Sequence, residues 1–431
     1  MNVIPIIDYT DLENNEEYKT ILSRELAFDP EIERSVRNII ETVRTQGDKA
    51  VLDFTRRFDN VDIKSLSPVN NDVLHDLHSQ VDTAFLGALR EAIENVREFH
   101  LLQYRDTLNM NKADGVKLSM RFTPIASVGL YVPGGAAAYP SSIVMNAVPA
   151  QVAGVERIAV VTPPGRFREN PHIAAALVEL GLTETYTIGG AQAVAALAYG
   201  TENIRRVDKI VGPGNMFVAE AKRQVYGRVD IDMVAGPSEI VVVADETANP
   251  AFAAADLLSQ AEHGSGMEMA VLLTTSKEVA EKTMEELYRQ VEDLSRSEDI
   301  KKVLDKNALV IVKDLDEAVG AVNRIAPEHL ELMVEKPENL LSKIKNAGAI
   351  FLGAYSPEAI SDYYAGPNHV LPTSGTARYA SPLGVYDFQK CSSVVEYTRE
   401  AVVKCAKQVD ILARSEGFEA HARAVTIRCR D

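Results

Sequence analysis

Short apolar runs rich in valine, isoleucine and alanine alternate along most of this chain with longer helical stretches, and that alternation limits the fold more than any other feature. Ile158–Thr162, Tyr186–Ile188 and Lys209–Val211 are bounded by helical segments near 171–180, 191–199 and 215–226. A second series begins at Glu239-Ile-Val-Val-Val-Ala-Asp245 and continues through Ala270–Thr274, Ala308–Val312 and Ala349–Gly353, again with helices between. Such a rhythm builds mostly parallel sheets. A chain of 431 residues exceeds one ordinary core, so the fold class expected is α/β, with two wound parallel-sheet (Rossmann-like) domains.

The remaining segments attach to this frame. Residues 1–28 are polar and weakly periodic, and read as an N-terminal arm lying on another domain or subunit. From Pro30 the apolar positions Ile32, Val36, Ile39, Ile40 and Val43 recur at intervals of three and four, and a further helix is expected at about 82–104. Strand-like alternation follows at Val116–Phe122 and Val128–Val132. The early helices are expected to pack on the second sheet. That gives a discontinuous domain of 29–126 and 236–378, a first-sheet domain at 127–235, and a C-terminal segment, 379–431. The last has a strand near Ser392–Tyr397 and helices near 399–414 and 416–428.

Composition removes several classes of function. A formal charge of -17 is unsuited to gripping nucleic acid or an anionic membrane. No segment approaches the ~20 uninterrupted apolar residues of a membrane span, and the N-terminus has no basic region followed by a long apolar run, so a cytoplasmic location is expected. Cys391, Cys405 and Cys429 lack Cys-x-x-Cys pairing and are expected to be reduced and without a role. His75, His78, His100 and His172 are assigned no chemistry.

The chemistry-bearing stretches are few. Asp256-Leu-Leu-Ser-Gln-Ala-Glu-His-Gly264 reads as a helix end, capped by Gly264, with Gln260 and His263 three apart on one face. Asp362 and His421 offer further oxygen and nitrogen donors, and the set suits zinc or another divalent first-row ion held without thiolates. Structural roles compete with this: Asp362 could cap a helix and His421 could lie on an exposed helical face. Pro133-Gly-Gly135, Gly189-Gly-Ala-Gln192 and Val211-Gly-Pro-Gly-Asn215 follow strands and precede helices, where a wound sheet binds ligands at its carboxyl ends. Singly, each glycine loop is often only conformational. Together with Tyr131, Gln192 and Asn215 they suit a dinucleotide. Glu328-His329 places two proton-handling groups side by side.

Read together, these segments resemble the histidinol dehydrogenase family over essentially the whole chain. The resemblance is carried by Tyr131-Val-Pro-Gly-Gly135 with Tyr139-Pro-Ser-Ser142, Gly189–Gln192, Gly212–Asn215, Ala235-Gly-Pro-Ser-Glu239, Leu257–Gly264, Pro327-Glu-His-Leu330, Gly366-Pro-Asn-His369 and Glu416–His421. It implies a cytoplasmic enzyme that oxidises L-histidinol to L-histidine in two NAD-dependent hydride transfers through a bound aldehyde, the last step of histidine biosynthesis. It also implies Glu328 and His329 as the catalytic pair, and Gln260, His263, Asp362 and His421 as ligands of one Zn2+ per subunit. Substrate contacts would come from Ser238, His369, Glu416, His329 and the metal ligands, and NAD contacts from Tyr131, Gln192 and Asn215. Members of the family are intertwined homodimers in which the C-terminal segment completes the partner's site. Cys391 stands where the family pattern leads one to expect a basic residue.

Two other readings compete. A related zinc and NAD alcohol dehydrogenase acting on another polar alcohol, such as a sulfonated diol, would keep the fold and metal ligands, but a sulfonate pocket should offer extra Arg or Lys. A non-catalytic, metal-stabilised scaffold would have no need of both Glu328 and His329.

Overall fold

A computed structural model describes residues 4–14, 19, 21–22, 29–134, 139–167, 170–263 and 266–430. Most of the expected N-terminal arm, Gly135 of the first glycine loop and the capping Gly264 lie outside the described residues.

Two parallel sheets and one antiparallel ribbon account for the described strands. In chain order the strands are β1 (Ile6–Asp8), β2 (Leu108–Asn111), β3 (Lys117–Pro124), β4 (Ser127–Tyr131), β5 (Arg157–Val161), β6 (Thr185–Tyr186) and β7 (Lys209–Val211). They continue with β8 (Asp230–Ile231), β9 (Glu239–Ala244), β10 (Met269–Thr274), β11 (Leu309–Ile311), β12 (His329–Met333), β13 (Ala349–Leu352) and β14 (Gln389–Glu396). The first parallel sheet has the order β6-β5-β4-β7-β8, the second β1-β11-β10-β9-β12-β13, and the ribbon β14-β3-β2. Part of the expected arm is therefore built into a sheet: Ile6 pairs with Leu309 and Asp8 with Ile311 at the sheet's edge.

Strands β9 and β10, in the interior of the second sheet, are buried throughout and read as nearly continuous apolar runs, as parallel strands between helical layers do. Side chains alternate between the two cores. Ile240, Val242, Ala270 and Leu272 meet Leu257 and Leu258 of the helix Pro250–Ala261, while Val241, Val243, Leu330 and Leu332 meet Ala318, Val322 and Ile325 of the helix Leu315–Ile325.

The early helices are where the expected packing fails. They cover the first sheet, not the second. Val36, Ile39, Ile40 and Val43 of Pro30–Gln46 share a core with Ala159, Val161 and Ile210, and Leu86, Leu89, Ile93 and Val96 of Thr83–Leu101 share another with Val128, Leu130 and Val160. The reason is stoichiometric. A five-stranded parallel sheet must be covered on both faces, and the helices between its own strands are supplemented there by the two long amphipathic helices that precede it. Helical periodicity fixes which face of these helices is buried, but not which sheet lies under it.

At the C-terminal end, β14 pairs antiparallel with β3, Cys391 standing opposite Phe122. Two helices follow, Arg399–Ser415 and Glu419–Thr426, close to the expected positions. Their exposed apolar side chains include Val403, Ile411, Leu412 and Phe418.

Candidate active site

The site assembles at the amino ends of the second sheet's strands. Ser238 immediately precedes β9, Glu239 begins it, His329 begins β12 in register with Ile240, and the helix Pro250–Ala261 returns from the far end to deliver Gln260 in its last turn and His263 just beyond it. Glycine loops at carboxyl ends do occur in the first sheet, after β4 and β7, but the second sheet puts its chemistry at the opposite end. A helix C-terminus carries negative partial charge, so the end of Pro250–Ala261 favours a cation.

Five of the expected residues come close in two groups. His329 Nε2 lies 3.9 Å from Asp362 Oδ1; His369 Nδ1 lies 3.1 Å from the Asp362 carbonyl oxygen; and His263 Nδ1 lies 3.2 Å from Ser238 Oγ. Gln260 Nε2 donates to Glu358 Oε1 at 2.6 Å. Gln260 Oε1, Asp362 Oδ1 and His329 Nε2 are buried and have no hydrogen-bond partner among the described residues. Buried polar atoms without partners are rare, because each forfeits its hydration. These oxygens are the natural acceptors of a metal ion's charge, and a zinc site with O and N ligands fits them.

The site's electrostatics follow from burial. Desolvation pushes the Asp362 carboxyl up to about 7 and the Glu328 carboxyl well above the usual range, where the Glu239 N–H bond only partly offsets it. Desolvation lowers the imidazoles of His329 and His369 to about 4 and lowers that of His263, whose outer edge remains exposed. Neutral imidazoles are the form that binds metal or accepts a proton.

Glu416 and His421 are not brought to this pocket within one chain. Both are exposed, His421 resting its ring 5.2 Å from that of Phe418. Among the described residues no group of three His, Cys, Asp or Glu side chains assembles as a metal site. A glutamine ligand and a distant histidine leave only two such side chains, His263 and Asp362, from the expected set.

At the first sheet, Tyr131 is buried and its hydroxyl accepts the Gly190 N–H at 3.0 Å, so it braces the Gly189–Gln192 loop. Gln192 is 1 % exposed, and neither atom of its amide has a partner among the described residues. Asn215 caps the helix Met216–Val225 by accepting from the Phe217 and Val218 N–H groups. Gly212, at φ 111°, sits so close to the Tyr131 carbonyl that a side chain has no room.

Sequence reading missed the groups behind these contacts. Asp232 accepts the Gly212 N–H at 2.8 Å, and Lys222, ion-paired with Asp232, donates to the Gly212 carbonyl at 2.9 Å. Glu239, Glu331 and Glu358 are buried acids, and the Glu239 carboxyl accepts the Ser374 N–H at 2.9 Å while its backbone faces Glu328 and His329. The available signal was charge inside otherwise apolar elements, as at Glu331 between Leu330 and Leu332. His100, by contrast, is a buried structural histidine bonded to the Val96 carbonyl at 2.7 Å. Cys391 is exposed on the ribbon, and nothing in the structure explains its place there.

Comparison with known proteins agrees with the resemblance. The model of the histidinol dehydrogenase family matches residues 22–429. The chain is 51% identical over 399 residues to the histidinol dehydrogenase of Listeria monocytogenes, covering 92% of this chain and 93% of the relative. The figure is again 51% over 399 residues for that of Bacillus subtilis, with the same coverage of 92% and 93%. The crystal structure of histidinol dehydrogenase from Elizabethkingia anophelis superposes with a TM-score of 0.93 at 33% identity, covering 99% of this chain and 98% of that one. This chain belongs to the histidinol dehydrogenase family and is an enzyme of the oxidoreductase class.

Proposed function

We propose that this enzyme catalyses the zinc-dependent, NAD-linked oxidation of L-histidinol to L-histidine by two hydride transfers through L-histidinaldehyde, the last step of histidine biosynthesis. The observation that carries the reading is that His329 Nε2 and Asp362 Oδ1, 3.9 Å apart, and Gln260 Oε1 are all buried and unpartnered among the described residues, with the buried Glu328 carboxyl 3.6 Å from His329 Nδ1.

Gln260, His263 and Asp362 would hold one zinc per subunit, with His421 from a second copy of the chain. Zinc, when bound, would supply a fixed positive charge that ligates the substrate's nitrogens and orients its carbinol carbon. NAD would be held by Tyr131, Gln192 and Asn215 and would accept the hydride in each oxidation.

The chain's own residues handle the protons. His329 takes the hydroxyl proton on Nε2 as hydride leaves carbon, releases it to solvent, and then takes another from the hydrated aldehyde in the second oxidation. Glu328 draws a proton from the water that adds to the aldehyde, and its desolvation makes the ionised form a stronger base. Ser238, His369 and Glu416 help hold the substrate's amino and imidazole groups. The enzyme acts as a homodimer with shared sites, a reading supported by the exposed Val403, Ile411, Leu412 and Phe418 beside the otherwise stranded Glu416 and His421. A cytoplasmic location goes with this reading, and among the described residues no helix is long and apolar enough to cross a membrane.

The test is product analysis. Zinc-loaded protein with NAD is given L-histidinol or a sulfonated diol. Histidine formed from the first alone supports the assignment; turnover of the diol without turnover of histidinol would replace it with the related dehydrogenase reading.

A further inference from the structure

Behind the candidate ligands lies a second row of acids, and its spacing is regular. Asp256 precedes Gln260 by four residues on the helix Pro250–Ala261, Glu358 precedes Asp362 by four on Glu358–Tyr363, and Glu331 follows His329 by two on β12. Each interval returns a side chain to the same face of its element. Three elements thus each present one residue to the site and one acid behind it.

The acids are bonded to one another and to the front row. Glu358 Oε1 accepts from Gln260 Nε2 at 2.6 Å and from Ser259 Oγ at 3.1 Å. The Glu358 N–H donates to Glu331 Oε1 at 2.8 Å, and the Glu331 carboxyl is hydrogen-bonded to that of Asp256. A carboxylate can only accept, so it decides which end of the Gln260 amide turns toward it.

We propose that Glu358 is a positioning residue for the metal site: it binds the Gln260 amide nitrogen and so presents Gln260 Oε1 to the metal. Glu331 and Asp256 hold Glu358 in place from behind. The inference rests on the zinc reading above and extends it to side chains that touch neither metal nor substrate. Without Glu358 the amide is free to turn its nitrogen, which cannot ligate, into the site. Partners of this kind typically control metal affinity by about 10–100-fold.

The experiment compares the full-length wild type with Glu358→Gln and Glu358→Asp. Zinc affinity of the metal-stripped proteins is measured by competition with a chromophoric chelator, NAD affinity by calorimetry, and ligand geometry from the visible spectrum of the Co(II)-substituted proteins. Glu358→Gln should weaken zinc about 10–100-fold, shift the Co(II) bands and leave NAD affinity unchanged. Glu358→Asp, whose carboxylate is drawn back by one methylene, should fall between, and decides the matter if Glu358→Gln does not fold. Wild-type zinc affinity in either folded variant overturns the proposal, as does parallel weakening of zinc and NAD, which would mark a general structural role. A wild type that takes up no zinc sinks the metal reading itself, and the proposal with it.

Discussion

The backbone of Glu239 serves both members of the proposed catalytic pair: its N–H donates to Glu328 Oε2 at 2.8 Å, and its carbonyl oxygen lies 2.9 Å from His329 Nδ1. A carbonyl can only accept, so Nδ1 carries the proton and Nε2 presents its lone pair to the site. Strand β9, in the interior of the second sheet, therefore sets the tautomer of the proposed base. His329→Gln should lower kcat roughly 100- to 10,000-fold, the usual worth of a positioned general base, with zinc content and melting temperature close to those of the wild type. Loss of zinc along with activity would instead give His329 a ligand's role.

Tyr131 is expected to act on NAD through the loop it braces. Tyr131→Phe removes the acceptor of the Gly190 N–H and costs about 1 kcal/mol. A several-fold rise in KM for NAD with kcat nearly unchanged is the expected result. A fall in kcat alone would count against this role.

Glu179 ties three helices together. Its carboxylate accepts from Arg90 Nε and Nη2 at 2.8 and 2.7 Å and lies 2.8 Å from His78 Nε2. The Arg90 bond, with His78 assisting against desolvation, holds the carboxyl at about 2. The folded state thus binds this proton more weakly than the unfolded chain, so the stabilisation is fully present above the ordinary glutamate range and is lost as pH falls toward about 2. Denaturant unfolding of Glu179→Gln should show a deficit at pH 7 that shrinks below about pH 4.5. A deficit independent of pH would remove the ion pair from the explanation.

The proposed sharing of sites between two copies makes a prediction about mixtures. His329→Gln and His421→Ala homodimers should each be nearly inactive, yet a mixture unfolded and refolded together should regain activity, because a heterodimer holds one site with both defects and one with neither. If the mixture stays as inactive as its parents, His421 does not serve a partner's site.

Much of this was legible in the sequence, for identifiable reasons. Strand runs such as Ile240–Val243 are fully apolar because helices cover both their faces, and turns such as Gly212-Pro-Gly-Asn215 are tied to one backbone geometry. The early helices were placed on the wrong sheet because the 3.6-residue period of Val36, Ile39, Ile40 and Val43 reports a buried face and not its partner. Gln260, His263 and Asp362 could be singled out by donor type, but only the fold shows Glu358 behind Gln260, 98 residues away. The contacts of Glu239 with Glu328 and His329 could not be read, since they are made by backbone atoms that every residue possesses.

The central claim is a four-electron oxidation in one site, and counting cofactor tests it most directly. Zinc-loaded enzyme is given limiting L-histidinol and excess NAD, and NADH formed per histidinol consumed is measured. The account predicts two NADH, with histidine as product. One NADH, with aldehyde released into solution, would contradict it and remove Glu328 from its part in the second oxidation.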